Sequence, residues 1–424
     1  MTIFSKATQV CATGLLLVAY VQHASAQAPS GYLQRLKDAE ANVAALPADA
    51  WEPARGLEKG AVIRSFSSAL QNLGTQRAFN GDTQGAIAAF DVLARIGPRP
   101  GLKPADAALV DAAIVEDAIA AIVAQARSRR VVLINEAHHM PMHRAFSQLL
   151  ARELRKIGYQ YLACEAFDGP SPKAFPHGYA TQYDGHLTRD PVFGGWIAEA
   201  IADGWKLVAY EARQSAPGMS PDQRIDERER EQASNLLERI FARDSQAKVL
   251  IHVGFGHLYK GSMKRPDGTE MVMMGEHLRR MTGLDMLHVD QTQFYAHPDP
   301  TDESPLYARL LAKTGTEAPF VISSKGAYAV LQGHQGMVDM QVVFPRYAFS
   351  DANGRPAWLA TLAGRTPRDI PVALLPASGR RAILAYRAGE PADAVPADVV
   401  LVEAGKPVPK LMLPQGEYRY IVED

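Results

Sequence analysis

The chain has 424 residues, 47% of them hydrophobic, with 45 Lys and Arg set against 46 Asp and Glu. At about 100–200 residues per domain this is apolar material for two or three domains with a sizeable core. A net charge of −1 with no basic run excludes an electrostatic footprint for nucleic acid, and a small molecule, a metal or a protein is the expected partner.

The first 26 residues read as a secretory signal. Lys6 supplies the positive start, residues 10–21 the apolar run, and Ala24-Ser25-Ala26 the small-residue cleavage site. The run is shorter than the ~20 residues that cross a bilayer, and no later stretch is long and apolar enough. The mature chain is therefore expected to begin at Gln27, in the periplasm or outside the cell, with no membrane span. Cys11 leaves with the signal and Cys164 remains as the only thiol, so no internal disulfide can form. At a strand end, Cys164 reads as a small buried hydrophobe.

Residues 27–128 are Ala-rich and helical in pattern. Leu70, Leu73, Gly74, Ala86, Phe90 and Pro98 have the spacing of one tetratricopeptide-like repeat with its turn at Gly81-Asp82, although Arg77 and Leu93 depart from it. One repeat cannot bury its own face, so a helical layer packed on the main domain is expected, with a surface open to a protein partner.

From 129 to 292 strands alternate with helices. VVLIN is followed by a helix with Pro141 in its first turn, Phe146, Leu149, Leu150, Leu154 and Ile157 in helical phase, and Gly158 at its end. YQYLA comes next, then a loop over 168–193 rich in Pro, Gly and His, and then KLVAY. A charged helix over 222–243 carries Ile225, Leu236, Leu237 and Ile240 on one side; AKVLIHVG, a helix over 271–281 and DMLHVDQ complete the series. This order predicts an α/β fold over 129–335, a mostly parallel sheet flanked by helices. Eight short apolar runs follow (PFVIS, MQVVF, AWLATL, VALL, AILAY, VVLV, KLML, YRYIV). Their spacing of about 8–12 residues predicts a β-rich module over 336–424, its approach completing the main sheet.

In an open parallel sheet the strands' carboxyl ends share one edge, and ligands bind there. Four strands here run straight into an acid or a histidine: Glu136 with His138, Glu165, Glu211, and His257 in Gly254-Phe255-Gly256-His257. Such a set can ligate a divalent metal and lower the pKa of its water. Alternatively, a carboxylate fixes an imidazole's tautomer while the imidazole takes a proton from water. Glu136, His138, Glu165 and His257 are the catalytic candidates, and the same four are the metal ligands if a metal is bound. His143, Glu211 and Arg228 are candidates to contact substrate, whereas His252 and His288 read as core histidines. There is no Gly-x-Ser-x-Gly, His-Glu-x-x-His or phosphate loop.

These motifs resemble the superfamily that joins erythromycin esterases, ChaN-like haem-binding lipoproteins, TraB proteins and Tiki proteases, the ChaN-like branch above all. That group shows a Gly-Glu-x-His strand tip, a later Glu and a Gly-x-x-His strand tip. Glu136-Ala137-His138 matches the first with Asn135 in place of Gly, Glu165 the second, and Gly254 with His257 the third. Pro141 and His143 match the ChaN-like form, in which His139 replaces an Asp, and Arg228, Glu229, Ala233 and Asn235 resemble a helix motif of the esterase branch. The resemblance covers 129–292. It implies ester hydrolysis, metal-dependent proteolysis or haem binding, since the group's activities diverge.

The preferred expectation is a periplasmic or secreted hydrolase of an ester or peptide bond. Glu136 and His138 would activate water directly or through a divalent metal, Glu165 would orient or ligate, and His257 would stabilise charge or complete the metal set. The alternatives are a haem- or iron-binding protein without turnover, and a non-catalytic scaffold for a protein partner.

Overall fold

Every residue from Val131 to Glu136 is buried, a pattern open to a strand only when both faces of its sheet are covered. A computed structural model shows how that is achieved. It describes residues 31–46, 60–95, 101–167, 175, 177–213, 217–265, 267–350 and 354–424; the expected signal segment and Pro98 lie outside these. In chain order the elements are helices α1 (Tyr32–Ala44), α2 (Gly60–Phe79), α3 (Thr83–Ala94) and α4 (Pro104–Ala112), then β1 (Ile114–Asp117), α5 (Ala118–Ala126), β2 (Val131–Glu136), α6 (Pro141–Lys156) and β3 (Tyr161–Cys164). There follow α7 (Pro191–Ala202), β4 (Lys206–Ala209), α8 (Pro221–Leu236), β5 (Val249–Gly254), a small hairpin of β6 (Ser262–Lys264) and β7 (Glu270–Val272), α9 (Met274–Thr282), β8 (Met286–Phe294), α10 (Tyr307–Leu311), β9 (Phe320–Ser324), β10 (Ala327–Tyr328) and β11 (Met340–Val343).

The main sheet has the order β1-β9-β11-β8-β2-β5-β3-β4, with β10 also on β9. Neighbours from β11 to β4 are parallel, whereas β1, β9 and β10 add antiparallel pairs at one side. The fold is thus α/β with a mostly parallel sheet flanked by helices. The period of two along each strand divides the apolar residues between two cores. Val132, Ile134, Leu162 and Leu250 face α5, α6 and α7, while Val131, Leu133, Ala163, Val249 and Ile251 face α8 and α9. The four apolar residues of β2 are fully buried, together worth about 6–12 kcal/mol relative to exposure.

Several boundaries differ from those expected. The sheet reaches beyond 129–335 at both ends, through β1 and β11. Residues 270–272 form a strand, and the expected helix starts only at Met274. AWLATL is a helical turn (Trp358–Thr361) and VALL a 3-10 turn (Val372–Leu374), not strands. MQVVF is β11, parallel to β8 in the main sheet, and the strands that follow it are antiparallel. Arg380–Arg387 pairs with both Asp398–Glu403 and Tyr418–Glu423.

One face of that three-stranded sheet, with Ala382, Leu384, Tyr386 and Val399, packs on Tyr32 and Leu33 of α1 and Phe79 of α2. Glu423 in its last strand accepts the Leu33 backbone N–H at 2.8 Å. This satisfies a free donor at the start of α1, where Gly31 offers no side-chain cap. α2 and α3 form a hairpin that turns at Gly81, φ +80°, and Asp82 caps α3 by accepting the Gly85 N–H. Among the described residues no helix is long and apolar enough to cross a membrane.

Candidate active site

Parallel register brings the strand ends together: Glu136 lies opposite Gly254, and Cys164, next to Glu165, lies opposite His252. Glu136 is 2% exposed. Its Oε1 meets His138 Nδ1 at 3.0 Å, and Arg144 grips it through two bonds, Nε to Oε2 at 2.6 Å and Nη2 to Oε1 at 2.7 Å. Arg144, itself wholly buried, also binds Asp190, the N-cap of α7. Burial works against the Glu136 charge, but Arg144 and His138 outweigh it and hold the carboxyl far below the usual range. An imidazole whose Nδ1 faces a carboxylate carries its proton there, which leaves Nε2 as a lone-pair acceptor.

That free edge of His138 lies over Gly254. A methyl group on Gly254 would come within 2.5 Å of His138 Cε1, 2.9 Å of Nε2 and 3.2 Å of Glu165 Oε2. Only the missing side chain lets the histidine and the second glutamate approach the same point. Glu165 Oε2 accepts the Gly254 N–H at 2.6 Å, and its Oε1 accepts Arg228 Nη2 at 2.5 Å. Burial raises the Glu165 pKa, but His257 and Arg228 overcome this and bring it down to about 2.

The second histidine has its own carboxylate. His257 Nδ1 pairs with the buried Glu229 of α8, whose other oxygen accepts the Met274 N–H at 2.7 Å. His257 Nε2 faces Arg228 Nη1 at 3.2 Å and Glu165 Oε1 at 3.8 Å. Burial lowers the His257 pKa, yet Glu229 and Glu165 raise it above its ordinary value. A guanidinium has donors only, so the Arg228 contact is a hydrogen bond when Nδ1 holds the proton and Nε2 accepts. Glu211 grips Arg228 at 2.9 and 2.6 Å, and Gln232 donates to Glu211 at 3.0 Å. The site therefore holds two carboxylate–imidazole pairs, Glu136–His138 and Glu229–His257, with Glu165 and Arg228 between them.

Six of the seven expected residues meet here: Glu136, His138, Glu165, His257, Glu211 and Arg228. His143 does not. Its ring is fully buried between Tyr295 and Phe344, and its Nδ1 accepts the Ala137 N–H at 3.1 Å, so it braces the strand end instead of meeting substrate. Glu211 is a partner of Arg228 before it is a contact for substrate. His252 and His288 are buried in the core, and burial pushes the Cys164 thiol well above its ordinary pKa.

A divalent metal does not fit the expected ligand set. Arg144 takes both oxygens of Glu136, and the Arg228 guanidinium stands between Glu165 and His257, where a cation would sit. Among the described residues no three His, Cys, Asp or Glu form a group able to hold a metal.

Arg144 and Asp190 are absent from the candidates that the sequence offers, and Glu229 enters there only through the helix motif of the resemblance. The signal for Arg144 was electrostatic: a glutamate at a buried strand tip needs a cation, and Arg144 is the first one downstream. For Glu229 it was phase, since 229, 233, 236 and 240 lie on one helical face, the face that is buried.

No family model and no curated protein matches the chain. Among solved structures it is similar to bacterial protein toxins. One crystal structure of such toxins is 16% identical, with a TM-score of 0.31, over 61% of this chain and 56% of that one. A second is 18% identical with a TM-score of 0.30 over the same shares. RRSP, a MARTX toxin effector domain from Vibrio vulnificus, is 16% identical with a TM-score of 0.30 over 61% of this chain and 55% of its own. The chain spans little more than half the length of these toxins.

Proposed function

We propose that the protein is a hydrolase of ester or amide bonds in which His138 is the general base and no metal takes part. One observation carries the reading. His138 Nδ1 is held by an ionised, arginine-locked Glu136, and its Nε2 edge closes on Gly254 beside Glu165. A water bound at the Nε2 edge can give its proton to Nε2 while its oxygen attacks the substrate carbonyl carbon. The charge that develops on the carbonyl oxygen has the Arg228 guanidinium as its cationic donor partner, with His257 Nε2 held against that guanidinium. Collapse breaks the bond to the leaving oxygen or nitrogen, which takes back the proton from His138. The products are a carboxylic acid and an alcohol or amine. Glu165 and Glu211 hold Arg228 in place until the substrate arrives. The motifs shared with the esterase and protease superfamily support the same reading.

The test is turnover of a panel of simple esters and N-acyl amides by wild type, His138→Ala and Glu136→Gln. Both variants are expected to lose at least about 100-fold in kcat/KM, in the range of general-base removal. Incubation with a chelator is expected to leave the wild type unchanged. Variant rates equal to wild type would overturn the assignment, and loss of activity with the chelator would restore a metal.

A further inference from the structure

Phe255 stands between the two glycines of the last motif with φ +42°. A bulky side chain in the left-handed region is strained, and such strain persists where the surroundings enforce it, often at functional sites. Here the enforcing group is Asn135. Its amide nitrogen donates to the Phe255 carbonyl at 2.7 Å and to Asp290 at 2.8 Å, and its oxygen accepts the Gln291 N–H at 2.8 Å. The residue standing where the superfamily's glycine would be thus clamps the loop that carries Phe255.

The ring so placed meets His138 edge-on, with centroids 4.9 Å apart. The Phe255 ring also neighbours Phe90 of α3, with centroids 6.4 Å apart and planes only 21° from parallel. Phe90 is fixed in turn. It stacks on His139 at 3.5 Å and 15°, and a methyl group on Gly74 of α2 would come within 2.7 Å of its ring. His139 is buried, neither ring nitrogen has a partner among the described residues, and burial drives its pKa well down. It is a neutral plate under Phe90. Phe90 and Phe255 are each only partly buried.

We infer that Phe90 and Phe255 form an aromatic wall that selects an apolar, preferably planar, leaving group. The inference rests on the hydrolase reading: His138 returns its proton to the leaving atom, so the ring in edge contact with His138 borders that half of the substrate. The helical α2–α3 hairpin, which sequence placed outside the chemistry, then supplies part of the specificity surface. Charge narrows the class further. Glu165 and Glu211 against one Arg228 disfavour an anionic leaving group, so uncharged or cationic alcohols and amines with an aryl or branched apolar body fit.

The experiment compares binding of two uncharged amides, N-benzylacetamide and N-methylacetamide, to wild type, Phe255→Leu and Phe90→Leu, by ligand-observed NMR titration. Thermal melts confirm that each variant is folded. Wild type is expected to bind the benzyl compound at least about tenfold more tightly, and each leucine variant to lose most of that preference while keeping its affinity for the methyl compound. Equal binding of the two amides by wild type, or a preference that survives both substitutions, would overturn the wall. Turnover of benzyl acetate is followed alongside. A benzyl preference with no turnover of benzyl acetate or of any ester or amide in the panel keeps an aromatic binding wall and removes the hydrolase reading, whereas turnover without the preference does the reverse.

Discussion

A carboxylate taken out of water stays charged only with a cation beside it, and Arg144 serves two. Its guanidinium ties Glu136 of β2 to Asp190 at the head of α7, so the site's charge balance and the docking of a helix share one side chain. Arg144→Ala is expected to destabilise by about 3–5 kcal/mol, because it strands two buried negative charges; denaturant unfolding measures this. A loss below about 1 kcal/mol would mean that the pair is solvated and Glu136 is not locked. Glu136, His138, Glu165 and His257 were legible in the sequence because each follows an apolar strand directly. Arg144 was not, since its helix is buried all round its first turns and periodicity cannot single out one residue of such a stretch.

Helix α8 shows how one element can be both scaffold and chemistry. Ser220 and Gln223 form a capping box with Pro221 in the first turn, which fixes where the helix begins. From that start the phase follows. Glu229, Ala233 and Leu236, with Ile240 in the turn that follows, are buried, and Arg228, Gln232 and Asn235 point at the strand tips, where Asn235 donates to the Tyr210 and Glu211 carbonyls. Ile225 and Leu237, expected on the apolar side, are only partly covered. Leu236 and Ile240 are buried as expected, and the polar Glu229 and Gln232 share their burial. The close approach at the end of β5 gives the matching prediction. Gly254→Ala suits the local backbone, φ −79° and ψ 142°, but its methyl group displaces His138 and Glu165. Turnover is expected to fall about 100-fold, as for a 1 Å misplacement, with only a small drop in melting temperature. Full activity in that variant would mean that His138 works from another rotamer.

Across the whole molecule the buried titratable groups set a common pH response. Burial lowers His143 to about 3 and both His252 and His288 to about 4 from an ordinary 6.5, and Glu165 falls from 4.5 to about 2. In each case the unfolded chain binds more protons than the folded one between the two values, so stability rises with pH there and is lost as pH falls. His257, raised, has the opposite sign: its contribution is present below 6.5 and fades at higher pH. The depressed groups outnumber it. Melting temperature is therefore expected to decline steadily from pH 6.5 toward pH 4, with an additional loss below 4.5 as Glu165 joins; a flat profile over that range would contradict the burial of these histidines. At this scale the α/β class and the antiparallel C-terminal strands were legible from alternation and spacing. The edges of the sheet were not, because β1 and β11 are four-residue strands whose place is set by partners distant in sequence.

The bond between Leu33 and Glu423 spans 390 positions. During synthesis α1 can form its own turns but cannot be sealed against its sheet until residue 423 has been made, so Tyr32 and Leu33 lack that cover on every shorter product. This seam makes the amino-terminal corner a late-closing part of folding, and a shortened or stalled chain would advertise itself to proteases there first.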